Sequence, residues 1–362
     1  MLRLTYITGE YIVRELPGVD KKIRDQLLAA EESGIYTNRV EIEKKPSLLR
    51  AFPFSSSLEW GKAQMPTADA LYIRMEPFSY PFIRFLQKTK KNKPGIRVIL
   101  EIPTYPYDEE IKRLNMITRY RDRIYRRYLW KYVDRIVTYS EDDKIFGIRT
   151  IRIRNGINVR TVPLAKKRHK DQEIHLIAVA ALQPYHGYER LIEGLKDYYS
   201  GEAERIVRFL IVGSGPSEEE LKHLVKSYGL EDKVLFFGQK TGDPLTEIYD
   251  QSDIGTGSFG LYKRGDSRSS ALKTREYLSR GLPMISGCTE DVFQGKNADF
   301  YLELENDESP VDIQRVVDFY DRLMADGKEA LSGRIREFAE KNVDVRSTFR
   351  PVIQYITGND LQ

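Results

Sequence analysis

The amino-acid sequence predicts an α/β protein with two domains, each built from repeated strand–helix units. Its 362 residues are enough for two domains of ordinary size. Strand and helix signals alternate through the first half, stop at the basic, polar stretch 163–172, and then begin again. Repeated units of this kind form parallel sheets with helices on both faces. We expect domains at 1–165 and 166–345, and a final helix at 346–362 that packs back on the first domain.

In the first half, buried-type apolar runs indicate strands and amphipathic periodicity indicates helices. Strands are predicted at 2–8, 70–74, 95–102, 135–139 and 149–154, and helices at about 20–33, 82–91 and 109–132. Pro17 and Gly18 form a loop before the first helix, and Asn155-Gly156 turns the chain after the last strand.

The second half repeats the pattern. Strands are predicted at 174–181, 207–213, 234–237, 254–257 and 283–286, with helices at 187–199, 217–228, 245–251, 310–324, 331–342 and 347–356. Two such sheets in tandem predict two Rossmann-like domains that face each other across a cleft. Ligands of open sheets bind at the carboxyl ends of the strands, so candidate site residues are expected there.

Composition and cysteine content exclude several classes of protein. No stretch approaches the ~20 apolar residues of a transmembrane helix, and the N-terminus predicts a first strand rather than a signal peptide. The single cysteine, Cys288, allows no internal disulfide and fits a reducing, cytoplasmic compartment. The four histidines show no metal-ligand spacing, and we expect neither a metal nor a resident cofactor.

Charge is distributed unevenly along the chain. Residues 1–170 contain 35 Lys and Arg against 20 Asp and Glu, whereas residues 171–362 contain 23 against 34. A basic first half and an acidic second half indicate two domains with different partners.

The segment from Ser269 to Ser286 carries the most chemical information. Ser269 to Leu272 can open a helix whose free backbone N–H groups bind an anion. Glu276 lies about one turn further, where a carboxylate can accept hydrogen bonds from two sugar hydroxyls. Gly281 and Pro283 then end the helix and begin a strand. A phosphate site beside a ribose site predicts a nucleotide; the alternative is an ordinary amphipathic helix with an ordinary C-cap.

Two other strand–helix turns lie in the second half. His186 and Gly187 stand where a helix should begin, and a histidine there can bind a phosphate or a sugar hydroxyl; the alternative is a surface histidine. The turn at 212–216 lacks the third glycine of the dinucleotide fingerprint, and no acidic residue ends a following strand at the usual place. We therefore expect a tight turn there and no nicotinamide cofactor.

Candidate residues of the first domain follow its strands. Glu101, Thr104 and Tyr105 lie at the end of a central strand, so they are candidates for the pocket. A carboxylate on a buried strand needs a partner or a ligand, and an internal salt bridge is the alternative for Glu101. Gly18 would let the backbone approach a ligand.

Two stretches interleave cations and aromatic residues at helical spacing, namely 82–93 and 119–132. Basic amphipathic helices with Trp and Tyr can lie on anionic membrane surfaces or bind nucleic acid. The alternative is a packed aromatic face opposite a solvated basic face.

Together these motifs resemble the retaining glycosyltransferases of the GT-B fold, specifically glycosyltransferase family 4, in the branch that builds bacterial capsular and extracellular polysaccharides. The matching motifs are Gly-Val-x-Lys-Lys at 18–22, Glu-Ile-Pro-Thr-Tyr-Pro-Tyr at 101–107, Asn-Gly-Ile at 155–157, His-Gly-Tyr-x-Arg-Leu-Ile at 186–192 and Leu-Lys-x-Arg-Glu-Tyr-Leu at 272–278. Single motifs are weak, whereas the ordered set is specific.

The resemblance implies that the second domain binds a nucleotide-sugar, with UDP more expected than GDP. Glu276 matches the glutamate that binds the donor ribose, and the backbone at 269–272 matches the turn that receives the diphosphate. The donor site so implied comprises Gly18, His186, Gly187, Phe237, Gly238, Arg268, Ser269, Ser270, Ala271, Leu272, Lys273 and Glu276. The candidate catalytic residues are Glu101, Thr104, His186 and Arg268.

Two departures from the family pattern bear on charge. Many relatives hold an Arg and a Lys where this chain has Ala181 and His186, and a Glu where it has Arg268. Arg268, Lys273 and either Lys263 or Arg264 are then the candidates to neutralise the diphosphate without a metal. The catalytic histidine of the first domain in relatives has no clear match.

The resemblance implies a metal-independent, retaining transfer of a hexose from a nucleoside-diphosphate sugar to a lipid-linked or free saccharide acceptor. We expect a cytoplasmic enzyme that contacts the inner face of the plasma membrane through its basic first domain. Three alternatives remain: a catalytically silent nucleotide-sugar or glycan-binding subunit, a sugar-nucleotide-processing enzyme of the same fold such as an epimerase or a phosphorylase, and a nucleic-acid-binding module. The last is the least expected, because the acidic second half opposes it.

Overall fold

Two compact units make up the chain, Met1–Arg154 with Thr348–Gln362, and Asn155–Ser347. The structure is a computed structural model and describes residues 1–44, 58–60, 67–74, 77–112, 114–166, 172–325 and 327–359. The predicted linker at 163–172 falls partly outside the described residues, and the predicted domain boundaries remain predictions.

The first unit contains a seven-stranded sheet. Its strands are β1 (Arg3–Gly9), β2 (Tyr36–Ile42), β3 (Ala70–Arg74), β4 (Arg97–Ile102), β5 (Arg135–Thr138), β6 (Lys144–Ile145) and β7 (Ile148–Arg152). Their order is β2-β1-β3-β4-β5-β7-β6, parallel except for the β6–β7 pair. The apolar runs predicted the central strands, whereas the half-exposed edge strand β2 escaped prediction because it carries no continuous buried run.

Helices cover this sheet as the strand–helix alternation predicts, with two differences. They are α1 (Tyr11–Glu15), α2 (Pro17–Glu32), α3 (Tyr80–Asn92), α4 (Asp108–Ile111) and α5 (Met116–Tyr125), followed by a 3₁₀ turn at Arg126–Lys131. Helix α2 begins at Pro17, a residue favoured in the first turn, so Gly18 lies in the helix and not in a loop. The continuous helix predicted at 109–132 is wrong, because Asn115 caps a new helix by accepting the Thr118 N–H at 2.8 Å.

The second unit contains a six-stranded parallel sheet. Its strands are β8 (Glu173–Val179), β9 (Ile206–Val212), β10 (Val234–Phe236), β11 (Ile254–Thr256), β13 (Met284–Ser286) and β15 (Tyr301–Glu303), in the order β10-β9-β8-β11-β13-β15. The short strands β12 (Arg268–Ser269) and β14 (Thr289–Glu290) pair separately. Its helices are α6 (Tyr188–Ser200), α7 (Glu218–Ser227), α8 (Gly242–Tyr249), α9 (Leu272–Ser279), α10 (Ile313–Met324), α11 (Lys328–Asn342) and α12 (Val345–Thr348).

The last helix, α13 (Arg350–Thr357), packs in the first unit, as predicted. Arg97 on β4 donates to the Ile356 carbonyl at 2.9 Å, and the Arg135 guanidinium lies 4.9 Å from the centre of the Tyr355 ring. The predicted α/β architecture with two Rossmann-like parallel sheets is confirmed. Among the described residues, no helix is both long and apolar enough to cross a membrane.

A buried ion-pair network lies at the centre of the first sheet. Glu101 on β4 is fully buried and accepts from Arg74 at 2.5 Å, from Tyr6 at 3.0 Å and from Tyr139 at 3.1 Å. The Lys22 ammonium lies 3.5 Å from the same carboxylate. Burial would raise the pKa of Glu101, but Arg74, Lys22 and the tyrosine hydroxyls outweigh it and lower that pKa to about 2. The structure therefore shows the internal salt bridge that the sequence left open.

We predict that Glu101→Gln lowers the free energy of unfolding by about 3–5 kcal/mol at pH 7, because it leaves two cations beside an uncharged amide. The folded pKa lies below the unfolded value of about 4.3. The stabilisation is therefore complete above about pH 5 and is lost as the pH falls towards 2. Urea unfolding of the full chain between pH 3 and pH 7 measures it.

The matched control is Glu15→Gln, which breaks a solvent-exposed pair with Lys44 and should cost no more than about 1 kcal/mol. Equal losses for the two variants, or a Glu101→Gln loss that does not shrink below pH 4, would contradict the assigned network.

Candidate functional site

The loops that follow the strands of the second unit form one continuous backbone layer. Gly213 donates to the Gly238 carbonyl at 2.8 Å, and Leu182 donates to the Ser214 carbonyl at 3.0 Å. Phe259 donates to the His186 carbonyl at 2.7 Å, and Gly287 donates to that of Ser258 at 3.0 Å. These bonds join the loops in the sheet order β10-β9-β8-β11-β13, so the carboxyl edge of the sheet is a fixed surface. We call these loops (180–187, 213–217, 237–238, 257–260 and 287) the carboxyl-edge loops.

Glycines let these loops approach at backbone distance. Gly187 has a φ of 64°, and a Cβ added to it would lie 2.4 Å from the backbone nitrogen of Gly260. A Cβ on Gly213 would lie 1.9 Å from the Ala180 carbonyl oxygen. The turn at 212–216 is thus the tight turn that the sequence predicted, held against the end of β8.

The turn of small residues before α9 is fixed by buried polar contacts. The Asn155 amide donates to the Ser270 carbonyl at 2.8 Å, and the Ser270 hydroxyl donates to Asp291 at 2.9 Å. Fully buried Arg275 donates to the carbonyls of Asn155 and Ala271 and pairs with Asp291. The N-cap residue of α9 is Ala271, which cannot cap the helix through its side chain, so within the described part of the chain the first backbone N–H groups remain available to an anion.

Lys273 connects this helix end to the carboxyl-edge loops. Its ammonium donates to the Gly257 carbonyl at 2.8 Å and to the Tyr188 hydroxyl at 3.0 Å. The Tyr188 ring in turn stacks on the His186 ring, with centroids 5.4 Å apart and an interplanar angle of 20°. The structure therefore brings His186, Gly187, Lys273 and the start of α9 together.

His186 is held as a neutral ring. Burial and the nearby Lys273 ammonium lower the pKa of His186 to about 3, far below the ordinary value near 6.5. The backbone N–H of Gln183 donates to Nδ1 at 3.2 Å, so the proton of the neutral ring lies on Nε2. At neutral pH this side chain can donate a hydrogen bond through Nε2, but it carries no positive charge. It is buried and not the surface histidine of the alternative interpretation.

Glu276 lies one turn into α9, with 31% of its side chain exposed. Its Oε1 atom accepts from Arg280, one turn further along the helix, at 3.3 Å. The carboxylate is thus partly open to solvent and lies one turn from the available N–H groups at the start of the helix. An anion at the helix start and a hydroxyl group at the carboxylate can bind side by side in this arrangement.

The other predicted cations are placed differently. Arg268 on β12 is exposed, and its side chain forms no hydrogen bond or ion pair with the described residues. Lys263 pairs with Glu189, and Arg264 pairs with Asp266 and lies 4.9 Å from the centre of the Tyr185 ring. Among these candidates, Lys273 is the cation whose described side chain donates a hydrogen bond to a carboxyl-edge loop, at Gly257.

The remaining residues predicted for the donor site or for catalysis divide between the two units. Half-buried Phe237 and Gly238 (φ of 63°) follow β10 and belong to the carboxyl-edge loops. Gly18, Glu101 and exposed Thr104 belong to the first unit, where Gly18 lies in α2 and Glu101 is engaged in the buried network.

Several residues of the site escaped sequence reasoning, namely Tyr188, Tyr249, Arg275, Arg280 and Asp291. Tyr188 and Arg275 stand inside the motifs at 186–192 and 272–278, so the motifs themselves were the available signal. Tyr249 and Asp291 lie in other segments, and only folding brings them to α9. Among the described residues, no group of three or more His, Cys, Asp and Glu side chains could hold a metal ion.

Comparison with known proteins finds a match to one family model and two curated relatives. Residues 161–256 match the family model of glycosyl transferases group 1. Mannosylfructose-phosphate synthase of Agrobacterium fabrum is 34% identical over 85 residues, which cover 22% of this chain and 19% of that protein. The putative colanic acid biosynthesis glycosyltransferase WcaL of Salmonella typhimurium is 26% identical over 189 residues, covering 51% of this chain and 45% of that protein. The chain thus spans less than half the length of either relative.

Solved structures match over nearly the whole chain and show the GT-B fold. A glycosyltransferase from Rickettsia africae superposes with a TM-score of 0.65 at 13% identity, covering 99% of both chains. Anabaena HepE, solved in complex with UDP and glucose, superposes with a TM-score of 0.61 at 12% identity, covering 99% of this chain and 100% of that one.

Proposed function

We propose that this chain is a retaining hexosyltransferase of bacterial surface polysaccharide synthesis, because residues 161–256 match the family model of glycosyl transferases group 1 and its fold is GT-B. It moves a hexose from a nucleoside-diphosphate sugar to a saccharide acceptor. The observation that carries this proposal is the cluster of His186, Lys273, Glu276 and the uncapped start of α9 at the carboxyl edge of the second sheet.

The diphosphate binds at the N-terminus of α9. Backbone N–H groups and the positive end of the helix dipole attract an anion there. Lys273 supplies a full positive charge beside the helix start, and exposed Arg268 adds a second one from β12. Because these groups supply the neutralising charge, the proposal includes no metal ion.

The nucleoside binds through Glu276 and the end of β10. A carboxylate oxygen of Glu276 accepts hydrogen bonds from the ribose hydroxyls, and the base lies near Phe237 and Gly238. UDP is the proposed nucleotide, in keeping with the family resemblance and with the UDP present in the related HepE structure.

The chemistry needs little from the protein beyond charge stabilisation. The bond between the anomeric carbon and the diphosphate oxygen breaks, and its electron pair leaves with the diphosphate. The acceptor oxygen bonds to the anomeric carbon on the face from which the diphosphate leaves. The departing phosphate oxygen takes the proton of the acceptor hydroxyl. Lys273 and the α9 N–H groups stabilise the growing negative charge of the leaving group.

His186 acts in this proposal as a neutral hydrogen-bond donor and not as a general base. Its pKa of about 3 makes it a poor proton acceptor at neutral pH, whereas its Nε2–H can bind a phosphate oxygen or a sugar hydroxyl. The rate of transfer should therefore not depend on His186 titration between pH 5 and pH 8.

The acceptor is a lipid-linked saccharide, and the first unit meets the anionic inner face of the membrane. The supporting surface is the aromatic-basic segment, residues 114–131, which holds six exposed large apolar side chains: Leu114, Met116, Ile117, Tyr120, Tyr128 and Trp130. Its exposed charges are the cations of Arg123, Arg127 and Lys131, whereas its acid, Asp122, is buried. Exposed aromatics among cations suit an anionic bilayer surface.

The other basic stretch, α3, does not share this surface. Its apolar side chains, Phe82, Ile83, Phe85 and Leu86, are buried in the core of the first unit. Lys90 and Lys93 pair with Asp134 and Asp69. The packed-face alternative thus describes α3, and the membrane proposal rests on the aromatic-basic segment alone.

A catalytically silent nucleotide-sugar-binding subunit is the second candidate. Ala181, which stands where many relatives hold a cation, is the observation that favours it. Such a subunit would bind the donor but release no nucleotide, so binding and turnover are measured on the same samples.

We predict that Glu276→Ala and Lys273→Met each weaken UDP binding by about 10–100-fold, because each removes a charge-assisted contact. Arg268→Ala should weaken binding less, since its exposed charge is screened by salt. Calorimetry gives the affinities, and UDP release from a panel of UDP-hexoses with saccharide acceptors gives the turnover.

The control variant is Lys222→Met, which removes a cation of α7 paired with Glu218 and should leave affinity within twofold. Wild-type affinity in both Glu276→Ala and Lys273→Met would refute the site. Tight binding with no turnover on any acceptor would favour the silent subunit.

For the membrane surface, we predict that the full chain floats with vesicles rich in phosphatidylglycerol and not with phosphatidylcholine vesicles. The double change Ile117→Ser and Trp130→Ser should reduce flotation at least tenfold, because both exposed apolar anchors are lost. Tyr36→Ser, at an exposed tyrosine elsewhere in the first unit, is the control. Equal flotation of both variants, or flotation without preference for anionic lipid, would contradict the proposal.

A further inference from the structure

We propose that Arg280, held on the ring of Tyr249, is the residue that orients the Glu276 carboxylate for the ribose. This inference rests on the nucleotide site proposed above and adds a positioning residue to it. The three side chains come from two helices, α8 and α9, and form one stack in the second unit.

The arginine approaches the carboxylate from one side only. Its Nε and Nη2 atoms lie 3.4 Å and 3.3 Å from Oε1 of Glu276. Arg280 makes no such contact with Oε2. The arginine therefore holds one carboxylate oxygen, and Oε2 is the oxygen that this proposal assigns to the ribose hydroxyls. A carboxylate restrained in this way loses less conformational freedom when the nucleotide binds.

Tyr249 fixes the arginine in turn. The guanidinium lies 3.9 Å from the centre of the Tyr249 ring, within the range of a cation–π contact. That ring is fully buried and packs edge-on against Tyr277, whose hydroxyl accepts the Val179 N–H at 3.0 Å. Because β8 ends at Val179, the stack is anchored to the sheet edge that carries the carboxyl-edge loops.

The hydrogen bonding of this stack is unlike that of a structural ion pair. The Nη1 atom of Arg280 is buried without a hydrogen-bond partner among the described residues. An unpartnered buried donor is costly, and an apolar side chain at 280 would avoid it. The presence of an arginine there is explained if its charge serves Glu276.

The electrostatics agree with this role. Burial and the nearby Glu276 carboxylate raise the pKa of Tyr249 well above its ordinary value. The phenol therefore stays neutral, and its ring makes the cation–π contact with Arg280. The positive charge of Arg280 attracts the Glu276 carboxylate and so restrains its orientation. The residue at position 280 thus affects how tightly Glu276 binds the ribose of the nucleotide.

The test compares UDP with 2′-deoxy-UDP, because the deoxy nucleotide lacks a hydroxyl that Glu276 would bind. In the wild-type chain, UDP should bind at least tenfold more tightly than 2′-deoxy-UDP. Arg280→Met should reduce this ratio to below threefold, as Glu276→Ala does, while the affinity for 2′-deoxy-UDP stays within twofold. A merely structural role for Arg280 would weaken both nucleotides equally and leave the ratio unchanged.

Further variants keep the test decisive if Arg280→Met fails to fold. Tyr249→Phe preserves the ring and should retain the wild-type ratio, whereas Tyr249→Leu removes the ring and should lose it. Arg315→Met, which removes an exposed guanidinium paired with Glu305, is the matched control and should retain the ratio.

The outcomes separate this inference from the proposed function. If the wild-type chain binds neither nucleotide, the proposed function fails and the inference fails with it. If UDP is preferred through Glu276, but Arg280→Met and Tyr249→Leu both keep the wild-type ratio, the proposed function stands and the inference is overturned.

Discussion

Backbone contact between the carboxyl-edge loops is the constraint on which the rest of the site depends. Gly187 and Gly260 approach so closely that a single added Cβ would lie 2.4 Å from a backbone nitrogen. This approach sets where His186 and Tyr188 lie, and Tyr188 sets where the Lys273 ammonium lies. The start of α9 is joined to the same surface by the bond from Lys273 to the Gly257 carbonyl. A site for a charged ligand is thus preorganised before the ligand arrives, which is what stabilisation of a leaving group requires.

Charge pairing determines which of the many cations can act on a ligand. Arg74 and Lys22 share the buried Glu101, and Lys263 and Arg264 have acidic partners of their own. Lys273 is bonded to a carbonyl and a phenol, so its positive charge is not cancelled by a carboxylate bonded to it. The same ammonium helps to keep His186 neutral. One lysine therefore supplies charge to the site and, together with burial, keeps its neighbour His186 neutral.

The sequence predicted the features that depend on local pattern. Alternating apolar and amphipathic stretches gave both sheets, and the Gly281–Pro283 break gave the end of α9 and the start of β13. Features set by contacts between distant residues were missed or left open. Glu101 is buried in an ion pair because of Arg74 and Lys22, which lie on other elements. Tyr249 contacts Arg280 only after α8 and α9 have packed together. The break before α5 was missed because the apolar and basic periodicity continues through the Asn115 cap.

The measurement that tests the central claim most directly is a crystal structure of the full chain with UDP bound. The account predicts phosphate oxygens within hydrogen-bonding distance of the first backbone N–H groups of α9 and of the Lys273 ammonium, with the ribose hydroxyls on the free oxygen of Glu276. A nucleotide bound elsewhere, or one whose phosphates avoid the start of α9 while Glu276 stays unliganded, would contradict it.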